Sequence, residues 1–274
     1  MTVRCLVVGN RAETGPWDRV AVHVTRIGLT PVKGGRHAER ASVDLTLDGP
    51  VGDRVFCLVD PERGRVLRTV ENPSMMRTSA TWVDGVLTSR LPARTVQGTP
   101  APTGRTLKVD YWGRVASLEV VDGPWAAAYS EHVGHDILLA RPSHPGEVVY
   151  GASVTLVTTS SLAELARRTG CEVDGAQFRA TFTVDTADAP AHVEDSWVGR
   201  RLRLGAAEVE VRGVVPRCAV IDLDPDTGER RSPALKTLGG YRRLHGEVVF
   251  GVDAVVTRPD EVRCGDRVDI VGRS

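Results

Sequence analysis

The sequence predicts a mostly β chain, barrel-like in part, with a few helices and two intimately packed β-rich lobes. Three observations carry this expectation. Short apolar runs alternate with period two, as half-buried strands do. Turn residues separate these runs at close intervals. The 28 Gly and 16 Pro are scattered along the 274 residues and not gathered into linkers. At roughly 150 residues per domain, this length suits one large domain or two intimate ones. Hydrophobic residues make up 41% and charged residues 26%, ordinary globular usage that excludes disordered and fibrous classes. Lys+Arg and Asp+Glu are both 35, so the chain has no overall field to recruit nucleic acid or an anionic membrane, and neither is an expected partner. No apolar run approaches the ~20 residues of a membrane span. The start, Met1 to Gly9, turns polar too quickly for a signal peptide, so a cytoplasmic address is expected.

Residues 1–19 read as an N-terminal extension, 20–115 as a first β-barrel-like domain and 116–274 as a second domain. Val20 to Ile27 alternates as a strand. Leu45 to Leu47, Val55 to Val59 and Val66 to Leu67 follow, divided by hairpin turns at Asp48-Gly49-Pro50 and Asp60 to Gly64. Val83-Asp84-Gly85-Val86 predicts another hairpin, because Asp-Gly favours the tight primed turn. Residues 93–106, rich in Thr, Pro and Gly, read as a surface loop or linker. Lys108 to Trp112 and Val115 to Val121 read as strands.

Trp125 to His132 predicts a short helix, with Pro124 suited to its first turn and Gly134 to its end. Val154 to Val157 is a strand running into a second helix. Ser161 and Glu164 have the spacing of a capping box, Arg167 and Arg168 suit the helix end, and Gly170 stops it. Strands are expected again at 178–184, 201–204, 207–214, 218–223, 247–256 and 267–271.

Few residues stand out as carriers of chemistry. Walker A, dinucleotide, nucleophile-elbow and HExxH patterns are all missing, as are flavin, haem and iron–sulfur motifs. His132 and His135 have weak metal-ligand spacing and read better as solvated helix-end residues. Asp222, Asp224 and Asp226 resemble the start of a calcium loop, but Pro233 stands where the bidentate Glu belongs, so a plain turn is expected. The five cysteines, Cys5, Cys57, Cys171, Cys218 and Cys264, are odd in number, widely spaced and free of CxxC, against both a disulfide framework and a cysteine zinc site. The default for each is a small buried hydrophobe. Cys218 differs because Arg217 puts a cation beside the thiol, a setting in which sulfur attacks electrophiles or binds soft metals. Thr159 and Ser160 follow a strand at a helix start, which reads either as an anion site or as simple capping. Lys33 is one of only three lysines and lies in a Gly-rich loop.

The order of these pieces carries a resemblance. Pro31-Val-Lys-Gly34, Leu47 to Arg54 with its Gly-Asp-Arg, and the apolar strand ending Leu58-Val-Asp60 come first. Thr158-Thr-Ser-Ser-Leu162, Gln177-Phe-Arg179, Asp195-Ser-Trp197, Leu204-Gly205 and Pro216-Arg-Cys218 follow. Asp222 to Gly228, Phe250-Gly251 and Cys264 to Val268 close the series. The series resembles the MOSC proteins: an N-terminal β-barrel and a MOSC domain, named for the C-terminal part of molybdenum-cofactor sulfurases. The resemblance implies a molybdopterin cofactor, with molybdenum bonded by Cys218 and Arg217 beside it. It further implies that Lys33, Arg54 and Arg179 contact the pterin or its phosphate, and that Thr159 and Ser160 cradle the phosphate. All of these are then expected in one pocket between the lobes. Departures from the family pattern fall at Gly34, Gln177, Thr181, Val215 and Asp253. The activity implied is reduction of N-hydroxylated or N-oxide small molecules, with electrons from a separate redox partner. The alternatives are metal-free sulfur transfer through a Cys218 persulfide, and a non-catalytic molybdopterin carrier.

Overall fold

A computed structural model of the chain describes residues 22–186 and 189–273. Cys5, the N-terminal extension and the first residues of the expected strand at 20–27 lie outside the described residues. That strand runs His23–Leu29.

Among the described residues, two β assemblies dominate. The first is a closed barrel of Ala101–Tyr111, Arg114–Asp122, Leu138–Pro142, Cys57–Asp60 and Arg65–Val66. Alternation builds it: Ala116, Leu118 and Val120 point inward from one strand, while all four residues of Cys57–Asp60 are buried. Residue 115 falls inside the strand Arg114–Asp122, and the barrel continues through Pro142.

The second assembly is a nine-stranded sheet. Its order is Ala38–Arg40, His23–Leu29, Phe182–Asp185, Val154–Thr158, Glu247–Arg258, Ala207–Pro216, Arg200–Leu204 and Val268–Arg273, with Arg243–Leu244 on the flank of Glu247–Arg258. The early strand His23–Leu29 thus pairs with Phe182–Asp185, deep in the second half of the sequence. This exchange laces the lobes together and carries the loop after Leu29 to their junction. Val154–Thr158 and Phe182–Asp185 run parallel. Parallel neighbours need a crossover, and helix α2 (Thr159–Thr169) lies in this one. Helix α1 (Trp125–Val133) lies in the barrel half and α3 (Ala234–Gly239) beside α2. No helix among the described residues is long and apolar enough to cross a membrane.

Several local expectations hold. Asp84 (φ 50°) and Gly85 (φ 76°) form the primed turn of a hairpin. Gly134 (φ 82°) and Gly170 (φ 68°) end α1 and α2 in the left-handed conformation. Others need correction. Residues 93–106 are not a linker: they contain Thr95–Gly98 and the start of Ala101–Tyr111. The expected strand at 218–223 is a 3-10 turn, Ala219–Asp222, because the Asp222 carboxylate folds back to accept the Leu235 N–H at 2.7 Å. The chain at 175–178 is likewise a 3-10 turn, capped by Asp174, ahead of the strand Phe182–Asp185. Helix α2 is capped by Thr158 and not by a Ser161–Glu164 box. Ser161 Oγ donates to Glu194 instead, and Glu164 pairs with Arg167 and Arg168.

Candidate functional site

A cleft of about 330 Å³ opens where the barrel meets the large sheet. Lys33, Arg54, Arg179, Arg217 and Cys218 all line it. Residues separated by up to 185 positions therefore meet at one place, as the resemblance implied.

Each is positioned by a distinct piece of backbone. Lys33 sits after Val32, whose neighbours are pinned to the barrel strand: Lys33 N donates to Phe56 O at 2.8 Å, and Phe56 N to Pro31 O at 2.9 Å. Its Nζ lies 4.9 Å from the centre of the Tyr111 ring. Gly34 follows with φ 97°, a conformation that a side-chain-bearing residue rarely adopts, and an added Cβ would come within 3.1 Å of Thr69 Oγ1. The departure at Gly34 is thus what this loop geometry demands.

Arg54 and Arg179 both hold left-handed backbone, φ 48° and 52°. Such strain in non-glycine residues persists where surrounding contacts impose it, and it concentrates at functional sites. Arg54 N donates to Thr30 O at 2.7 Å, and its guanidinium pairs with Asp53, itself anchored by Thr30 N at 2.9 Å. Arg179 ends the 3-10 turn 175–178 and donates through Nη2 to Gly35 O at 2.9 Å, tying the second lobe to the Lys33 loop. Arg217 donates to Phe250 O at 2.8 Å and Phe178 O at 2.9 Å, while its Nη2 is buried without a partner. Cys218 next to it is exposed, and among the described residues its thiol makes no hydrogen bond.

The electrostatics lean to one side: Lys33, Arg54, Arg68, Arg179 and Arg217 line the cleft against one carboxylate, Glu247. Of Lys33, Arg54, Arg179 and Arg217, only Arg54 has a carboxylate partner among the described residues. Burial, then the charges of Arg54 and Arg179, push the Lys33 amine down to about 7. Burial also brings Arg179 down to about 10, aided by Arg54, and Arg217 to about 10. Half-buried cations without ion pairs, here Lys33, Arg179 and Arg217, are costly, and an anion in the cleft would relieve them together. The Lys33 amine titrates lower in the folded chain than in the unfolded one. Its destabilising effect is therefore full below pH 7 and fades as pH rises toward 10.5. Sulfate should accordingly raise the thermal midpoint more at pH 6 than at pH 9, measured by differential scanning fluorimetry with chloride at equal ionic strength as the control. An equal gain at both pH values would remove Lys33 from the anion site.

Thr159 and Ser160 are not brought to this cleft. Thr159 Oγ1 donates to Asp185 at 2.8 Å, and Ser160 Oγ bonds Thr186 Oγ1 at 2.8 Å. The α2 N-terminus is already served by the buried Glu194, which accepts from Thr158 and Ser161, both at 2.8 Å. The expected phosphate cradle is thus filled by the chain's own carboxylates. Gln177 and Thr181 are buried in structural roles. Gln177 Oε1 accepts from Asp174 N and its Nε2 donates to Ile221 O, while Thr181 and Thr155 exchange hydrogen bonds. Val215 is buried in the cleft wall, and Asp253 accepts from Ala152 N at 2.8 Å.

Three cysteine expectations divide. Cys57 is fully buried, and burial pushes its thiol up to about 12, as suits a structural role. Cys171 is half-buried. Cys264 is not a buried hydrophobe: it is exposed on a turn, with Sγ 3.5 Å from Arg40 O. His132 Nε2 bonds Ser74 O, and Asp224 Oδ1 accepts from Asp226 N and Thr227 N in a local turn. Among the described residues, no group of three or more His, Cys, Asp and Glu is placed to hold a metal. Sequence reasoning missed Trp112 and Tyr150, exposed aromatics at the cleft wall.

Comparison with known proteins agrees with this architecture. The family model described as the MOSC N-terminal beta barrel domain matches residues 21–119, and that described as the MOSC domain matches residues 131–269. The chain is 24% identical over 290 residues to a protein named molybdenum cofactor sulfurase from Oryza sativa subsp. japonica, covering 92% of this chain and 34% of that one. The chain thus spans about a third of that relative's length. It is also 24% identical over 283 residues to mitochondrial amidoxime reducing component 2 of Macaca fascicularis, covering 89% of this chain and 82% of that one. With both family models matched in order along one β-rich structure, the chain belongs to the MOSC family.

Proposed function

We propose that this chain is a molybdenum-cofactor enzyme that reduces N-hydroxylated or N-oxide small molecules, with electrons from a separate donor protein. The observation that carries this reading is an exposed thiol, Cys218, in a cleft whose cations Lys33, Arg179 and Arg217 make no ion pair among the described residues, Arg54 alone pairing with Asp53. The residues fit the cofactor. A phosphate-bearing pterin is an anion rich in acceptors, and the buried, unpartnered Nη2 of Arg217 is a donor in want of one. Lys33, Arg54 and Arg179 would hold the phosphate or the pterin oxygens, and the Cys218 sulfur would hold the metal. When bound, the cofactor supplies a metal centre that cycles by two electrons. The overall conversion cleaves one N–O bond, takes up two electrons and two protons, and releases the reduced nitrogen compound and water. Within the chain, burial and the charges of Arg54 and Arg179 hold the Lys33 amine at about 7 in the empty cleft, and a bound anion would raise it and keep it a cation. The coverage of relatives favours this chemistry: the chain spans 82% of the amidoxime reducing component and 34% of the sulfurase.

A second reading keeps the fold and has Cys218 carry sulfur as a persulfide without metal; the unencumbered thiol and the sulfurase likeness favour it. The test is molybdenum and pterin analysis of protein from a molybdenum-supplied host, followed by turnover of an N-hydroxylated compound with reduced viologen. Stoichiometric metal and pterin with turnover supports the reductase. Metal and pterin without turnover points to a carrier, and a metal-free protein overturns both in favour of sulfur transfer.

A further inference from the structure

Three hairpins close on two-residue turns with both central residues at positive φ. They are Asp84-Gly85 (50°, 76°), His245-Gly246 (50°, 86°) and Trp112-Gly113 (53°, 80°). Asp and His are among the residues that tolerate left-handed backbone; a bulky tryptophan is an outlier there. The third turn therefore departs from the local chemistry that its own chain uses twice. Trp112 is also 42% exposed, so core packing does not explain it.

Its surroundings show what it is held for. Trp112 lines the cleft that contains Cys218. The Arg68 guanidinium sits 4.7 Å from its ring centre and is itself held by Asp110 at 3.4 Å and Glu71 at 3.6 Å. Arg114, the residue closing the turn, donates to Val149 O at 2.7 Å, which pins the hairpin tip to the loop carrying Tyr150. Tyr150 lines the same cleft and is 47% exposed. Two exposed aromatics are thus fixed on neighbouring, hydrogen-bonded loops at the wall of a cleft that also presents the cations Lys33, Arg54, Arg179 and Arg217. A fixed, solvent-facing ring is suited to stacking on a flat ring.

We propose that Trp112 is a specificity-determining residue that selects N-hydroxylated substrates bearing a planar aromatic group over aliphatic ones. The proposal rests on the reading of the cleft given above. Its test is therefore a binding measurement that does not need turnover. Benzohydroxamic and acetohydroxamic acids share the N-hydroxylated head and differ in the aromatic ring. Calorimetric titration of the purified, cofactor-loaded protein should show the aromatic compound binding about 3- to 10-fold more tightly, the range expected for one aromatic pair. Trp112→Asn suits the turn and should fold at least as well, raising the thermal midpoint while erasing that preference. Trp112→Phe should keep most of it.

A preference absent from the wild type, or undiminished in Trp112→Asn, overturns the assignment. So does a fall in pterin-to-protein ratio in Trp112→Asn, which would make the ring a cofactor contact. Viologen-driven turnover is scored separately. A protein that reduces neither substrate type yet keeps the Trp112-dependent binding difference rejects the reductase and retains the aromatic subsite. A protein that reduces both types equally, without a binding difference, does the reverse.

Discussion

Replacing Cys218 with Ser should remove both turnover and bound molybdenum while leaving the thermal midpoint of the cofactor-free protein where it is. The two halves of this expectation have separate causes. Cys218 is exposed, and among the described residues its sulfur makes no hydrogen bond, so an oxygen in its place disturbs no packing. Surface changes of this kind usually fall within about 0.5 kcal/mol. Function behaves otherwise, because a hydroxyl is a much harder and less acidic ligand than a thiol and does not replace it on a soft metal. The same substitution at Cys57 should give the opposite pattern. That side chain has no solvent exposure and lies among Val59, Val109 and Leu118 in the barrel core, where a hydroxyl would need a hydrogen-bond partner. Metal content and circular dichroism melts on the two variants check both halves. A Cys218→Ser protein that keeps its metal would take the thiol out of the site and leave the cationic cleft as an anion site of another kind.

The ease with which the sequence reveals these elements depends on whether the determining contact is local. The turn at Asp84-Gly85 and the stops at Gly134 and Gly170 are legible because one residue's backbone freedom decides each. The strand Ala101–Tyr111 is not. Its first six residues are exposed on both faces, so no alternation marks it, and a register shift between Pro102 and Thr106 interrupts the pairing. The cap of α2 also eludes local reading: Ser161 and Glu164 have the right spacing, but Glu194, 33 residues beyond Ser161, takes the serine hydroxyl. That one tertiary contact also explains why Thr159 and Ser160 fail as a phosphate cradle, since the carboxylate the helix end attracts is already built in. For the cleft, the resemblance implies that Lys33, Arg54, Arg179 and Cys218 share one pocket between the lobes, but no local pattern shows the route by which the chain brings them there. The meeting depends on His23–Leu29 crossing into the sheet of the other half. Local strain at Arg54 and Arg179 has no signature in composition at all.

Arg179→Met should separate stability from binding in opposite directions. In the wild type, Arg179 is a half-buried guanidinium that has no carboxylate partner among the described residues, and desolvation together with Arg54 brings it down to about 10. Exchanging a desolvated, unpaired charge for an apolar side chain of similar length removes its desolvation cost, which solvent screening at this half-buried position holds to about 1–2 kcal/mol. Against this stands the loss of the Nη2 bond to Gly35 O, about 1 kcal/mol. The left-handed φ of 52° is a strain common to both side chains and cancels. The cofactor-free variant should therefore melt no lower than the wild type and up to about 4 °C higher, at about 2–4 °C per kcal/mol for a chain of this size. Retention of the anion should fall. One charge-assisted contact is worth roughly 1.5–3 kcal/mol, or about one to two powers of ten in affinity. Sulfate should then raise the melting temperature less than in the wild type, and the pterin-to-protein ratio after gel filtration should drop. Arg179→Lys tests geometry apart from charge: it keeps the cation without the planar fork, and should recover only part of the retention. If Arg179→Met lowers the melting temperature and leaves the pterin ratio intact, the guanidinium serves to bridge the lobes through Gly35, and the anion must be held by Lys33, Arg54 and Arg217 alone.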